Sequence, residues 1–178
     1  MKRYILTGAP GAGKTALLRR LERAGFAVVE EAATDVIALA GARGVDRHWE
    51  EPTFIDDILA LQLARQARAD RAGEAVTVFD RSPVCTLALA EFLGHPRPAA
   101  LEAVLDRIAR EGVYERRVLF VENLDRIEHT AARRISLADA LRFGALHARV
   151  YERLGFDLVR LPPADIEARF EMARAILV

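Results

Sequence analysis

Short runs of apolar residues alternate along the chain with longer stretches in which apolar positions recur at helical spacing. The short runs fall at 4–7, 26–29, 76–79, 118–121 and 156–161. Most are continuously apolar, which is typical of strands that are buried on both faces of a parallel sheet. The last run contains Asp157 and Arg160, a mixture that favours an edge strand.

The longer stretches predict helices over 14–24, 31–40, 53–72, 84–93, 99–110, 137–154 and 164–176. Strands that alternate with helices build βαβ units with right-handed crossovers. A chain of 178 residues has the length of one domain. The pattern therefore predicts an α/β fold over residues 1–178, a three-layer sandwich in which helices flank a parallel sheet.

The turn between the first predicted strand and the first predicted helix fits the motif G-x-x-x-x-G-K-[ST]. Its residues are Gly8, Ala9, Pro10, Gly11, Ala12, Gly13, Lys14 and Thr15, and Ala16 continues into the helix. Backbone N–H groups of such a loop, together with the helix N-terminus, bind the phosphates of a nucleoside triphosphate. A chance match in a chain of this composition is roughly one in a few thousand. We therefore predict phosphate binding rather than a turn that only connects two elements.

Two side chains of this loop have predicted roles of their own. Lys14 would reach the β- and γ-phosphates, and the Thr15 hydroxyl would hold a Mg²⁺ ion. Ligands of α/β folds bind at the carboxyl ends of the strands. The polar residues that end the other strands are therefore the next candidates.

Glu30 and Glu31 follow the second predicted strand. One of these carboxylates would act as a general base towards an acceptor hydroxyl, or hold the water shell of the metal. Both are equally well explained as first-turn acids that the helix dipole favours. Chemistry alone does not choose between the two residues.

Asp80 and Arg81 follow the third predicted strand. An aspartate at the end of an apolar strand beside a phosphate loop anchors metal-bound water in related sites, and Arg81 would face phosphate. Asp80 or Ser82 also fits the N-cap of a helix with Pro83 in its first turn. Capping is compatible with the predicted metal role.

Arg133 and Arg134 stand just ahead of the helix predicted over 137–154. Arginines there would close over the triphosphate and neutralise the charge that develops during transfer, so 123–136 is a predicted lid. A solvated basic turn is the alternative.

Trp49, in the loop between the second and third predicted strands, is predicted to hold that loop against the core rather than to stack on a ligand.

Three other polar side chains are weaker candidates. His48 has no recognisable metal or catalytic partner and is predicted to be a surface histidine. Gln62 and Gln66 share one face of the helix over 53–72, where they could read the edge of a base. Glutamine is nevertheless an ordinary helix-surface residue.

Composition narrows the classes of function. The formal net charge is zero, which disfavours nucleic-acid binding as the primary role. No apolar run is long enough to span a bilayer, and we expect no signal peptide because the first predicted strand begins at once. The single cysteine, Cys85, excludes an internal disulfide and is predicted to be a small core residue. We expect a cytoplasmic protein with no membrane partner.

The motifs together resemble a known family. After the phosphate loop come VVEEAA at 28–33, FDRSP at 79–83, RRIS at 133–136 and YERLGFDLVRLP at 151–162. This order is similar to that of small P-loop kinases, above all the nicotinamide-riboside-kinase-like group that is often labelled AAA-family ATPases. Deoxynucleoside and thymidylate kinases are more distant relatives. The resemblance spans essentially the whole chain.

The resemblance implies a five-stranded sheet with the phosphate-loop strand in the middle, and ATP and Mg²⁺ as cofactors. It favours Glu31 over Glu30 as the carboxylate on the acceptor side. It likewise favours Arg134 over Arg133 as the arginine of the lid.

Two further segments take their roles from the same resemblance. The turn that contains Pro163 and Ala164 is similar to the loop that contacts adenine in the family. The segment 41–66 corresponds in position to the acceptor-binding segment, although it carries no motif that matches.

The predicted function is transfer of the γ-phosphoryl group of ATP to a small nucleoside- or nucleotide-like acceptor. The expected roles are a phosphate clamp by Lys14 and Arg134, placement of Mg²⁺ by Thr15 and Asp80, a hold on acceptor or transferred phosphate by Arg81, and proton removal by Glu31. The alternative is a nucleotide-dependent regulatory ATPase, or switch, that acts on a partner protein. We make no prediction of the oligomeric state.

Overall fold

The computed structural model of the protein describes residues 1–123 and 136–178. In these ranges five parallel strands form one sheet in the order β2-β3-β1-β4-β5. The strands are β1 (Lys2–Gly8), β2 (Ala27–Val29), β3 (Val76–Asp80), β4 (Arg117–Val121) and β5 (Asp157–Leu161). The strand that enters the phosphate loop lies in the middle, and β5 lies at an edge, both as predicted.

The helices occupy the predicted stretches between these strands. They are α1 (Lys14–Arg23), α2 (Ala33–Ala42), α3 (Phe54–Ala72), α4 (Pro83–Leu93), α5 (Ala99–Glu111), α6 (Leu137–Arg153) and α7 (Ile166–Leu177), with a short 3₁₀ helix at His48–Glu50. Each bound lies within two residues of the prediction, apart from the 3₁₀ helix, which was not predicted. In the described part of the chain no helix is both long and apolar enough to cross a membrane.

Alternate side chains of the central strand serve two separate cores. Tyr4 and Leu6 of β1 pack in a cluster with side chains of α1 and α7 on one face of the sheet. Ile5 points to the other face, into a larger cluster that side chains of α2 to α6 complete. The continuous apolar runs are thus explained by burial on both faces, and the predicted three-layer sandwich is confirmed.

The end of β1 lies unusually close to its neighbour β4. Gly8 pairs in register with Val121, and a Cβ atom built on Gly8 would lie 2.2 Å from the Val121 carbonyl oxygen. Gly8 also has a φ of 136°, which side chains rarely allow. Glycine is therefore required at this position both by its backbone conformation and by the contact between the two strands.

We expect Gly8→Ala to lower the free energy of unfolding by about 2–3 kcal/mol, because the methyl group collides with backbone that cannot rotate away. Gly25→Ala is the matched control. Gly25 also has a positive φ, 92°, but nothing lies within 4 Å of its built Cβ atom, so only backbone strain is added. Urea denaturation of the two variants measures the difference, and equal losses of stability would contradict the close approach of β1 and β4.

Candidate active site at the carboxyl ends of the strands

A cavity of about 890 Å³ opens at the carboxyl ends of β1 and β3. We call it the central cavity. At one end, the phosphate end, its lining includes Pro10, Gly11, Lys14 and Thr15. At the other, the apolar end, it includes Trp49, Phe54, Ile58, Leu89, Phe92 and Phe143. Glu31, Asp80 and Arg81 line the wall as well, so charged groups and an apolar chamber share one space.

The phosphate loop has the backbone conformation that anion binding needs. Gly11 and Gly13 have φ angles of 86° and 92°, in the left-handed region that glycine tolerates. Gly13 is the N-cap of α1, so the first N–H groups of the helix have no intrahelical acceptor and face its N-terminal end. No acidic side chain occupies the first turn of α1. The positive end of the helix dipole is therefore available to a phosphate group.

Lys14 is buried at the phosphate end of the cavity. Its Nζ atom donates hydrogen bonds to the carbonyl oxygens of Gly8 and Ala9, at 3.2 and 2.9 Å. Burial, with the nearby Arg81 cation, lowers the pKa of Lys14 to about 8. The ammonium group is thus charged at neutral pH but poorly solvated, and a bound phosphate would supply the missing counter-charge.

Glu31 lines the cavity, whereas Glu30 does not. The Glu31 Oε1 atom accepts a hydrogen bond from Arg81 Nε at 2.6 Å, and Oε2 accepts one from the Thr34 hydroxyl at 2.9 Å. Glu30 carries its carboxylate outward into an ion pair with Arg19. The structure therefore brings only one of the two candidate carboxylates to the cavity.

Burial alone would raise the pKa of Glu31, but Arg81, Lys14 and the Thr34 hydrogen bond outweigh burial and hold this pKa below its usual value. The carboxylate is ionised at neutral pH. Its backbone is also held, because Arg65 donates to the Glu31 carbonyl oxygen at 2.6 Å. Sequence reasoning missed both Thr34 and Arg65, which fix the position of the carboxylate.

Arg81 has a strained backbone and three fixed contacts. Its φ is 72°, left-handed for a residue that is not glycine, and its N–H group donates to the Leu6 carbonyl oxygen at 3.0 Å. The guanidinium binds Glu31 through Nε and lies 3.1 Å from His147 Nε2 through Nη1. Burial disfavours its charge, but the Glu31 carboxylate outweighs burial and raises the pKa of Arg81.

His147 on α6 is a polar partner of Arg81 that sequence reasoning also missed. Its Nδ1 atom donates to the Phe143 carbonyl oxygen at 3.0 Å, which leaves Nε2 as an acceptor for Arg81. Burial, with the Arg81 cation next to it, holds the pKa of His147 well below its usual value, so the imidazole stays neutral. Nothing local in the sequence distinguishes this histidine from an ordinary core residue of the helix.

Asp80 and Thr15 are the residues predicted to place a metal ion. Ser82, not Asp80, caps α4: its hydroxyl accepts from the Val84 N–H at 3.2 Å. Asp80 is left with a buried Oδ1 atom that has no hydrogen-bond partner among the described residues. Burial raises the pKa of Asp80 against the opposing pull of Lys14 and Arg81. A carboxylate oxygen in need of a partner, in the same cavity lining as the exposed residue Thr15, fits Mg²⁺ that also binds nucleotide phosphates and water.

The apolar end of the cavity corrects one prediction. His48 is half-buried rather than at the surface, because the 3₁₀ helix folds it onto α3. There its Nε2 atom lies 2.9 Å from Asp57 Oδ2, and its ring meets Phe54 edge-on. Trp49 packs against the larger core cluster, as predicted, and also lines the cavity.

Other predicted residues fall on both sides of the cavity wall. Gln62 lines it, whereas Gln66 is buried away from it. Cys85 is buried in the core, as predicted. Pro163 and Ala164 lie in the turn after β5 and are not part of the cavity lining.

The two lid arginines, Arg133 and Arg134, lie outside the described residues, as does most of the segment 123–136. Their predicted roles stay predictions.

Comparison with known proteins identifies the family. The AAA_28 family, described as an AAA domain, matches residues 3–169. The chain belongs to this AAA domain family. No curated protein shows significant similarity to it.

Solved structures share the fold of this AAA domain at low sequence identity. Deoxyadenosine kinase from M. mycoides with bound dATP matches with a TM-score of 0.55 and 11% identity, over 98% of both chains. Thymidylate kinase from Candida albicans matches with a TM-score of 0.63 and 10% identity, over 98% of this chain and 90% of that one. NadR protein in complex with NR matches with a TM-score of 0.68 and 18% identity, over 96% of this chain but 51% of NadR. The predicted resemblance is confirmed: the family model identifies an AAA domain, and the solved kinase structures share the fold.

The lowered pKa of Lys14 predicts how nucleotide affinity depends on pH. Bound phosphates stabilise the ammonium form, so above the free pKa of about 8 binding must take up a proton. We therefore expect the affinity for a non-hydrolysable ATP analogue to fall towards about tenfold per pH unit above about pH 8, and to change little below it.

Calorimetric titration at about pH 7, 8 and 9 tests this dependence. Lys14→Met, which has no ammonium group to titrate, should bind weakly at every pH and show no step near pH 8. Equal affinity of the wild type across this range would contradict the assigned contact between Lys14 and the phosphates.

Proposed function

We propose that this AAA domain is a phosphotransferase that moves the γ-phosphoryl group of ATP, bound with Mg²⁺, to a small nucleoside- or nucleotide-like acceptor. The observation that supports it most directly is the continuity of the central cavity. One space joins the phosphate loop to an apolar chamber, and Glu31 and Arg81 stand on its wall. Nucleotide hydrolysis alone needs the phosphate end but not the chamber.

The phosphate end supplies electrostatic stabilisation. Lys14 and the N-terminus of α1 would bind the β- and γ-phosphates, and Arg134 is the predicted clamp from the lid. Mg²⁺, held through Thr15 and Asp80, would neutralise charge on the phosphate oxygens when bound. Arg81 would hold the acceptor or the transferred group, because its guanidinium is fixed in the wall by Glu31 and His147.

Glu31 is the proposed general base. It is ionised at neutral pH, it faces the cavity, and its oxygens are oriented by Arg81 and Thr34. A carboxylate with a lowered pKa is a weak base, which suits phosphoryl transfer because the loose transition state needs the acceptor proton removed only late. Orientation of the acceptor hydroxyl is therefore the larger part of its proposed role.

The apolar end has the size and character of a site for a planar base. Its lining includes Trp49, Phe92 and Phe143, and the whole cavity lies within the usual volume range of small-molecule sites. Gln62 is a polar group of the cavity lining: its Oε1 atom accepts from the Thr86 hydroxyl at 2.8 Å. Its N–H donors have no partner among the described residues and would be open to an acceptor molecule. The deoxyadenosine kinase, thymidylate kinase and NadR structures, which share the fold, support a nucleoside- or nucleotide-like acceptor.

Glu31→Gln should lower acceptor-dependent ADP formation by about 10²-fold, towards the lower end of the range for a positioned base. The substitution keeps the shape of the side chain and removes the proton acceptor, so affinity for ATP should change little. Slow hydrolysis of ATP by water should be much less affected.

The matched control is Glu30→Gln, which removes an adjacent carboxylate that pairs with Arg19 outside the cavity. It should leave the acceptor-dependent rate near that of the wild type. If the acceptor-dependent rate is unchanged in Glu31→Gln but falls in Glu30→Gln, the base is Glu30 and the proposed assignment to Glu31 is wrong.

The experiment that tests the proposed function is a panel of nucleosides, nucleoside monophosphates and other small hydroxyl compounds, each assayed for acceptor-dependent ADP production. We expect stimulation by at least one nucleoside- or nucleotide-like compound. Binding and slow hydrolysis of ATP without stimulation by any acceptor would instead favour the regulatory ATPase.

A further inference from the structure

Arg169 in the first turns of α7 is buried, with 3% of its surface exposed, although it is an arginine. All three of its hydrogen bonds to described residues are with backbone carbonyl oxygens. Nη1 donates to Ala12 at 2.6 Å, Nη2 to Glu122 at 2.8 Å and Nε to Pro162 at 2.9 Å. Among the described residues no carboxylate lies within ion-pair distance of it; the Glu122 carboxylate favours its charge from farther away and pairs with Arg160.

Burial of a cation whose hydrogen bonds go only to neutral carbonyl groups costs free energy of desolvation. Burial lowers the pKa of Arg169, but a guanidinium does not lose its proton in proteins, so the charge must be carried into the interior. Apolar residues of similar volume stabilise such positions as well or better. The arrangement therefore has a purpose beyond packing α7 against the sheet.

The hydrogen bond from Arg169 to the Ala12 carbonyl oxygen indicates what that purpose is. In a planar trans peptide, the C=O and N–H groups point in opposite directions. Because Arg169 holds the Ala12 carbonyl on the side of α7, the N–H group of Gly13 in the same peptide must point away from α7. Gly11 and Lys14, on either side of this peptide, line the phosphate end of the cavity. The hydrogen bond thus fixes a loop N–H in the orientation that an anion requires.

The fit between Arg169 and the loop is close. A Cβ atom built on Gly13 would lie 3.3 Å from Arg169 Nη1, nearer than most side chains tolerate. The glycine at this position therefore serves the guanidinium as well as its own left-handed φ.

The other two carbonyls belong to the ends of neighbouring strands. Glu122 follows β4, and Pro162 follows β5 and begins the turn predicted to contact adenine. One rigid guanidinium thus joins the phosphate loop to the base of that turn. Lysine cannot reproduce this planar fork of donors.

We propose that Arg169 is a positioning residue, which holds the Ala12–Gly13 peptide in its phosphate-binding orientation and ties the phosphate loop to the turn after β5. The phosphate loop, which would bind the triphosphate, and the turn after β5, which would contact the base, are then held in fixed relative positions before a nucleotide binds. This inference rests on the proposed nucleotide site.

The test measures binding of inorganic tripolyphosphate and of a non-hydrolysable ATP analogue, both with Mg²⁺, to Arg169→Lys and Arg169→Gln. Arg20→Gln is the matched control, because it removes the same charge from an arginine that also contacts α7. Arg20 makes that contact through Glu167 and Phe170, which do not line the cavity. We expect both Arg169 variants to bind tripolyphosphate about 10–100-fold more weakly, and Arg20→Gln to bind like the wild type. The ATP analogue should be weakened at least as much as tripolyphosphate.

Chemical rescue separates positioning from general stability. In Arg169→Ala, millimolar guanidinium ion should restore part of the tripolyphosphate affinity relative to sodium chloride at the same ionic strength, whereas it should not improve the wild type. Circular dichroism and Tm establish that each variant is folded. If the alanine variant does not fold, the lysine variant decides.

The outcomes are distinct. If the wild type binds neither probe, the proposed nucleotide site itself fails and this inference with it. If the wild type binds both, but the Arg169 variants bind as well and merely melt at lower temperature, the arginine is structural and only this inference is overturned. Full binding by Arg169→Lys would show that the charge matters and the fork of hydrogen bonds does not.

Discussion

Burial of opposite charges at the carboxyl edge of the sheet is the constraint on which the site depends. Lys14, Glu31, Asp80 and Arg81 come from three strand ends, and each can remain there only because the others balance its charge. The balance is incomplete: the charge of Lys14 is poorly compensated, and an oxygen of Asp80 has no hydrogen-bond partner within residues 1–123 and 136–178. A phosphate anion and a metal cation would complete the cluster, as the proposed function requires.

The sequence was sufficient to locate the phosphate loop and the polar residues at the strand ends, but it did not indicate that Thr34, three positions from Glu31, orients the carboxylate. Phosphate-loop residues are contiguous, and parallel topology brings polar residues after each strand to one edge, so Asp80, Arg81 and the pair Glu30 and Glu31 could be placed there from the sequence. Only the family resemblance favoured Glu31 over Glu30. Partners contributed by distant helices could not be found this way. His147 meets Arg81 across 66 positions, and Arg169 meets Ala12 across 157. Their positions depend on how α6 and α7 pack.

A weaker signal was present for one of these partners. Arg169 stands four residues before Ala173 and eight before Leu177, both buried in the core beneath the sheet, so it lies on the apolar stripe of α7. A charged residue on such a stripe indicates a buried polar contact, although not its acceptors. The burial of His48, by contrast, had no signal in the sequence, because the three-residue 3₁₀ helix that folds it onto α3 is too short to show a periodic pattern.

The separation of the two cores has a consequence for how such proteins diversify. The cluster shared by α1 and α7 supports the phosphate loop, whereas Trp49 and Phe143, which line the apolar end of the central cavity, belong to the cluster on the opposite face of the sheet. Substitutions that reshape the chamber can accumulate without disturbing the packing beneath the loop. The two faces of the sheet can thus vary independently in sequence, which accords with a fold shared by solved structures that are only 10–18% identical to this chain.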